Sequence, residues 1–118
     1  MQDNRFYHNP RCRKSREGLQ IVRDKGLEVQ VIEYLKDPPT GKELKEILAG
    51  LAMQPLELIR TQEKVFKELG LKKTDQHSDA EWIKIMTDNP ILIERPILVY
   101  KNKTALGRPP QALLKIIG

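Results

Sequence analysis

The chain has 118 residues, 39% hydrophobic and 31% charged, with a net charge of +5 and a sequence pI of about 9.4. This length and composition fit one soluble globular domain with an ordinary hydrophobic core, and no apolar run approaches the length of a membrane span. The basic balance admits nucleic acid as a partner. However, one Trp, three Tyr and two Phe, none interleaved with basic residues, argue against a nucleic-acid binder. The excess charge is partly local, because residues 5 to 25 hold seven Lys or Arg against two acids. A basic pocket for a small anion fits better. Met1-Gln2-Asp3-Asn4-Arg5 contains no hydrophobic leader, so a cytosolic protein is expected.

Phe6-Tyr7 reads as the end of a short first strand, although Gln2 to Arg5 is a weak strand sequence. A helix is predicted to start near Cys12 to Lys14 and to run to Lys25, with Leu19, Ile21 and Val22 inward and Gly26 just past its end. Glu28 to Leu35 alternates as a second strand, with Val29 and Val31 on one side and Ile32 and Tyr34 near the other. Strand, helix, strand over this span is a parallel β-α-β unit.

Asp37-Pro38-Pro39 breaks the pattern. Thr40-x-x-Glu43 is a capping box ahead of an inner stripe of Leu44, Ile47, Leu48 and Leu51. A short segment runs from Pro55 through Arg60. Glu63 to Leu69 is predicted helical, with Val65, Phe66 and Leu69 inward. Ser78-x-x-Glu81 is a second capping box, followed by Trp82, Ile85 and Met86, and Asn89-Pro90 stops that helix. Ile97 to Tyr100 and Lys103 to Leu106 flank Lys101-Asn102 as a hairpin. Gly107-Arg108-Pro109-Pro110 leads into a last helix bearing Leu113, Leu114, Ile116 and Ile117. The order is β-α-β, several helices, then β-β-α, which predicts an α/β fold with a mixed four-stranded sheet and flanking helices.

Cys12 is the only cysteine. A lone cysteine is by default a small buried hydrophobe. Here Arg11, Arg13, Lys14, Arg16 and His8 all lie within four residues of it, at a boundary where a helix begins. Positive charge and a helix N-terminus both favour the thiolate, which is the nucleophilic form. An ordinary thiol is roughly 3% ionised at pH 7, so full ionisation would raise thiolate content about 30-fold, or about 2 kcal/mol. One cysteine can neither form an internal disulfide nor cycle as a dithiol, so a redox role requires an external thiol.

His8-Asn9-Pro10-Arg11-Cys12-x-Lys14-Ser15-Arg16 resembles the active-site loop of the glutaredoxin-dependent arsenate reductases. The resemblance extends through Glu33-Tyr34-Leu35-Lys36 with Pro38-Pro39, the segment around Arg60, Arg95-Pro96 and Gly107-Arg108-Pro109, and so covers essentially the whole chain. It implies a thioredoxin-like fold in a single domain, residues 1–118, with a helical insertion over about residues 40–90. It further implies that Cys12 attacks arsenate to form a covalent adduct, and that glutathione and glutaredoxin supply electrons and release arsenite. No bound cofactor is implied; glutathione is a co-substrate, and a monomer is expected. By the same resemblance Arg60 orients the adduct, Arg95 and Arg108 bind the oxyanion, and Pro96 is a cis-proline beside the cysteine. The forked guanidinium donors suit arsenate oxygens, whereas an arginine on residue type alone is a solvated surface charge. Arg95 and Arg108 are singled out because each precedes proline at an element boundary.

His8 is read either as a plain surface histidine or as a stabiliser of the Cys12 thiolate when protonated. Ser15 is read either as a first-turn helix residue or as a hydroxyl donor to the sulfur, and Asn9 as a residue that shapes the loop. Arg13 departs from the family pattern, where a small residue often follows the cysteine. A phosphatase-like Cys-x5-Arg cradle is excluded, because Gly18 occupies the arginine position, and Ser15 excludes a Cys-x-x-Cys pair. One Cys and two distant His make no standard zinc set, and His77 is read as an exposed loop residue. The competing functions are an RNA-polymerase-binding regulator, related to this family but typically carrying a Cys-x-x-Cys switch, and a glutathione-dependent thiol oxidoreductase acting on another substrate.

Overall fold

The structure is a computed structural model that describes residues 4–117. The chain forms two compact units, one made of Met1–Asp37 with Arg95–Gly118 and the other of Pro38–Glu94.

The first unit is built on a mixed four-stranded sheet in the order β2-β1-β3-β4. Strand β1 (Arg5–His8) pairs parallel with β2 (Gln30–Glu33), with Phe6 opposite Val31 and His8 opposite Glu33. On its other side β1 pairs antiparallel with β3 (Ile97–Tyr100), with Phe6 opposite Leu98, and β3 continues into β4 (Lys103–Leu106). Lys101 (φ 49°) and Asn102 (φ 66°) form the tight turn between them. Both left-handed residues match the primed turns that suit the strand twist. Asn4 Oδ1 accepts from the Lys101 amide at 3.0 Å. Helix α1 (Arg13–Asp24) crosses over between β1 and β2. Its Leu19 and Val22 join Phe6, Leu98, Ala105 and Leu113 in one buried cluster. Burying side chains of this kind contributes about 1.5–3 kcal/mol each.

The strand at the start of the chain is longer toward the site than the sequence suggests. It runs through His8, while Gln2 and Asp3 of the weak stretch lie outside the described residues. The expected final helix is a 3₁₀ segment, Pro110–Ile116. Pro109 and Pro110 bring no backbone N–H, and three residues per turn set Leu113 and Ile116 on one side. Leu114 is exposed as a result.

In the second unit, helix α2 (Gly41–Leu51) buries Leu44, Ile47 and Leu48. Its capping box is formed as expected: Thr40 Oγ1 accepts from the Glu43 amide at 3.1 Å, and Glu43 Oε1 accepts from the Thr40 amide at 2.9 Å. A 3₁₀ turn at Pro55–Leu58 and helix α3 (Lys64–Glu68) follow. Helix α4 (Asp79–Asp88) is capped by Ser78 and Glu81 in the same reciprocal way and packs against α2 and the Pro55–Leu58 turn. Phe66 stacks on Trp82 with centroids 6.5 Å apart. Leu69, expected inward, is exposed, because α3 ends at Glu68 and only Phe66 of that turn is buried. His77 is not the exposed loop residue expected from sequence: it is half-buried, with its ring edge-on to Trp82 at 4.7 Å. No helix among the described residues is long and apolar enough to cross a membrane.

Candidate active site

The first unit gathers six of the seven residues singled out in the sequence. Strand β1 delivers His8, the loop Asn9-Pro10-Arg11 turns the chain, and Cys12 becomes the N-cap of α1 (φ −95°, ψ 121°). The turn closes by a hydrogen bond from the Cys12 amide to the Asn9 carbonyl at 3.0 Å. Asn9 Oδ1 accepts from the Arg11 amide at 3.0 Å, an Asx turn that bends the backbone locally. Arg16 reaches back from α1 to donate to the Pro10 carbonyl at 3.0 Å. Asn9 therefore holds the bend of the loop through both its carbonyl and its side chain.

Ser15 is fully buried on the first turn of α1. Its hydroxyl oxygen accepts from the Asn9 amide at 2.9 Å and lies 2.7 Å from His8 Nδ1. The hydroxyl thus ties the loop to β1, and it is the backbone N–H of Ser15 that meets the sulfur of Cys12. His8 is buried rather than on the surface. Burial lowers its pKa below the ordinary imidazole value, and the positive charges of Arg23 and Arg16 act in the same direction against Glu33. Near pH 7 His8 is therefore neutral, and its partner is Ser15, which differs from a cationic His8 beside the thiolate.

Cys12 is half-buried. Burial alone would raise its pKa, but the Ser15 amide, a hydrogen bond and positive charge from Arg95, and the Lys14 amide together lower it below the ordinary thiol value. Two amides at a helix start and one guanidinium shift the sulfur toward the thiolate.

Arg95 is 9% exposed, and both Nε and Nη1 are buried without a hydrogen-bond partner among the described residues. Buried polar groups are almost always paired, and an unpaired charged donor is costly. Arg95 thus combines a hydrogen bond to the Cys12 sulfur with two buried donors that no described residue accepts from. Arg108, half-buried, donates from Nη1 to the Arg95 carbonyl at 3.3 Å, which ties the two Arg-Pro dipeptides together. The Arg95–Pro96 bond is cis, as the resemblance implies, and so is Arg108–Pro109, where a trans bond is the sequence default.

Pro96 packs against two glycines. A Cβ on Gly107 would stand 2.7 Å from Pro96 Cγ, and one on Gly18 would stand 2.9 Å from the same atom. These close approaches seat the proline that positions Arg95. Gly107 belongs to a recognisable motif; nothing local in the sequence marks Gly18.

Arg60 lies in the second unit. An antiparallel bridge between Ile59 and Ile93 places it there, with the Arg60 amide donating to the Leu92 carbonyl at 2.7 Å and the Glu94 amide to Leu58 at 2.9 Å. Its Nε donates to Glu63 at 2.9 Å and its Nη1 to Glu94 at 3.0 Å, all three side chains being about one-quarter exposed. Glu63, three residues from Arg60, is the local sign of this ion triad in the sequence, whereas Glu94 joins it only through the Ile59–Ile93 bridge. No group of three metal-ligating side chains is assembled among the described residues.

A mixed sheet in this order, a cysteine capping the first helix and a cis-proline leading into β3 define a thioredoxin-like domain. Residues 7–116 match the ArsC family, and the chain belongs to it. It is 43% identical to the uncharacterised protein YfgD of Escherichia coli K12 over 97% of this chain and 96% of that one. It is 39% identical to the arsenate reductase of E. coli K12 over 95% of this chain and 79% of that one. Among solved structures, the arsenate reductase of Vibrio cholerae superposes with a TM-score of 0.90 at 39% identity, covering 97% of each chain.

Proposed function

We propose that this protein is an arsenate reductase in which Cys12 is the nucleophile and external thiols supply the electrons. The observation that carries the reading is the buried Arg95 guanidinium, with two nitrogens unpartnered among the described residues, hydrogen-bonded to a sulfur whose pKa is lowered. Membership in the ArsC family and the arsenate reductases among its relatives support the same substrate.

The Cys12 sulfur attacks arsenic, a sulfur–arsenic bond forms, and one arsenic–oxygen bond breaks, its oxygen leaving as water after protonation. Arg95 and Arg108 bind the remaining oxygens through forked, charge-assisted hydrogen bonds. His8 and Ser15 fix the loop and the first turn of α1, so that its amides point at the sulfur. Reducing arsenic from the +5 to the +3 state takes two electrons, and Cys12 is the chain's only thiol. Two external thiols give up that pair by forming a disulfide with each other. The balance is arsenate plus two thiols giving arsenite, one disulfide and water. Glutathione and glutaredoxin fill these places in a cytosolic, monomeric enzyme that needs no resident cofactor.

The test is arsenate-dependent NADPH oxidation coupled through glutathione reductase, glutathione and glutaredoxin. Wild type turns over and Cys12→Ser does not. Turnover that persists in Cys12→Ser, or a folded wild type with none, overturns the reading.

A further inference from the structure

A second group of cations lies at the end of the first unit away from Cys12. Cys12 caps the start of α1 and Lys25 its end, with the 12 residues of the helix between them, a separation of about 18 Å. Gly26 (φ 68°) turns the chain there, and the Leu27 amide donates back to the Val22 carbonyl at 3.2 Å. The β3–β4 turn comes to the same end of the sheet, because the Lys101 amide donates to Asn4 Oδ1 just ahead of β1. A cavity of about 340 Å³ lies here, where exposed Lys25, Lys101 and Lys103 meet half-buried Leu27, Tyr100, Ile116 and Ile117. We propose that this cavity binds a single-chain amphipathic anion, a carboxylate or phosphate head on an aliphatic tail of medium length. The site stands apart from the reaction at Cys12 and does not depend on it.

Three features carry the proposal. The first is the apolar floor. Leu27, Tyr100, Ile116 and Ile117 pack against the buried cluster of Phe6, Leu19, Val22, Leu98, Ala105 and Leu113, and each keeps part of its surface open. A tail laid over them removes that surface from water. The volume is that of a small-molecule site, which typically starts at about 300 Å³.

The second feature is charge of one sign. No carboxylate lines the cavity. Asp24 and Glu28 flank this turn in the sequence, but Asp24 Oδ1 accepts from Gln20 at 2.8 Å, one turn back along α1. Among the described residues none of the three lysines makes an ion pair. Lys101 Nζ stands 5.3 Å from the centroid of the Tyr100 ring, and Lys103 is the cross-strand partner of Tyr100. Lysine stems lie along apolar surface while their heads stay in water, so the ammonium groups border the floor. The carbonyl end of α1 disfavours an anion close to its backbone, which puts the head on the hairpin side, at Lys101 and Lys103.

The third feature is the chemistry of the remaining wall. Apart from the ammonium groups and the Tyr100 hydroxyl, no side chain lining the cavity forms hydrogen bonds. A nucleobase would leave its polar edge unanswered there. An inorganic anion would leave the apolar floor in water, and a cation would face three like charges. A head of negative charge with an aliphatic tail answers both the lysines and the floor.

The experiment titrates butanoate, hexanoate, octanoate and decanoate, each below its micelle concentration, into the full chain and follows amide NMR. Inorganic phosphate, octylammonium and vesicles of phosphatidylglycerol are the comparison arms. The expected result is shifts centred on Leu27, Tyr100, Lys103, Ile116 and Ile117, with Kd falling about two- to fourfold for each added methylene. Lys25→Gln and Lys103→Gln, both at exposed positions, should each weaken octanoate a few-fold and leave the amides of the core unshifted. Shifts confined to the basic loop around Cys12 overturn the site. So does an affinity that ignores chain length, or octylammonium or phosphate binding here as tightly as octanoate. Binding to the vesicles with none to any soluble carboxylate would make the patch a membrane contact, and the proposal would fall.

Discussion

Cys12 and Arg95 act on each other as much as on a substrate. The sulfur's pKa is lowered by the Ser15 and Lys14 amides and by the Arg95 guanidinium, against its partial burial. Wild type should therefore react with iodoacetamide at a pH where an ordinary thiol does not, and Arg95→Gln should move the alkylation profile to higher pH. Under the proposed mechanism the same substitution removes an oxyanion donor and should lower kcat with arsenate roughly 100-fold. An unshifted alkylation profile would mean that the helix amides alone set the thiolate. His8 behaves in the opposite sense. Its folded pKa is below the ordinary value, so the unfolded chain takes up the proton first, and stability falls as pH drops through about 6.5. Urea midpoints at pH 7.5 and 5.5 should differ more for wild type than for His8→Asn. The cysteine and its basic loop were legible from sequence, because charge and a helix start are local. That Arg95 is buried, and that Ser15 bonds to His8 rather than to the sulfur, depends on strands brought together by the fold.

At the scale of elements, the site depends on how closely β4 and α1 approach Pro96. Alanine in place of a mid-helix glycine ordinarily stabilises by about 1 kcal/mol. At Gly18 the added Cβ would stand 2.9 Å from a rigid proline ring, and at Gly107 2.7 Å. Overpacking of this kind costs about 1–3 kcal/mol, which outweighs the helical gain. Gly107→Ala, with no helix to benefit, should lower the urea midpoint more than Gly18→Ala; equal or raised midpoints would show that Pro96 can move. Thr40→Ala, which removes a hydroxyl from a complete capping box, should cost about 1 kcal/mol. Elements marked by local signals were legible: both capping boxes, the helical stripes of α2 and α4, and the hairpin at Lys101-Asn102. The misreadings fell where tertiary packing decides. Leu69 is apolar by composition yet exposed, and the last segment winds as 3₁₀ because its prolines and Leu113 set a tighter turn.

For the whole molecule, the decisive fact is a count. The chain has one cysteine, while arsenate reduction needs two electrons. A cysteine pair within one chain could deliver them by forming an internal disulfide; this chain cannot. Under the proposed mechanism, wild type mixed with arsenate and no external thiol should therefore release no arsenite, even at enzyme concentrations above that of arsenate. It should stop at an adduct with Cys12, held by Arg95 and Arg108 and protected from alkylation. Adding glutathione and glutaredoxin should then release arsenite in proportion to the trapped cysteine, with one disulfide formed per arsenite. Quenched-flow measurement of arsenite, with mass spectrometry of Cys12, follows both events. Arsenite release without external thiol would require electrons from another group on the chain or from a second copy of it, and the single-thiol mechanism would fall. The net charge of +5 adds a dependence on medium. Adduct formation brings a dianion toward a basic loop, so its second-order rate should fall as ionic strength rises and the Debye length shortens from about 10 Å at 0.1 M. The later step, in which the electron pair stays on arsenic already bound to Cys12, should show little of that dependence.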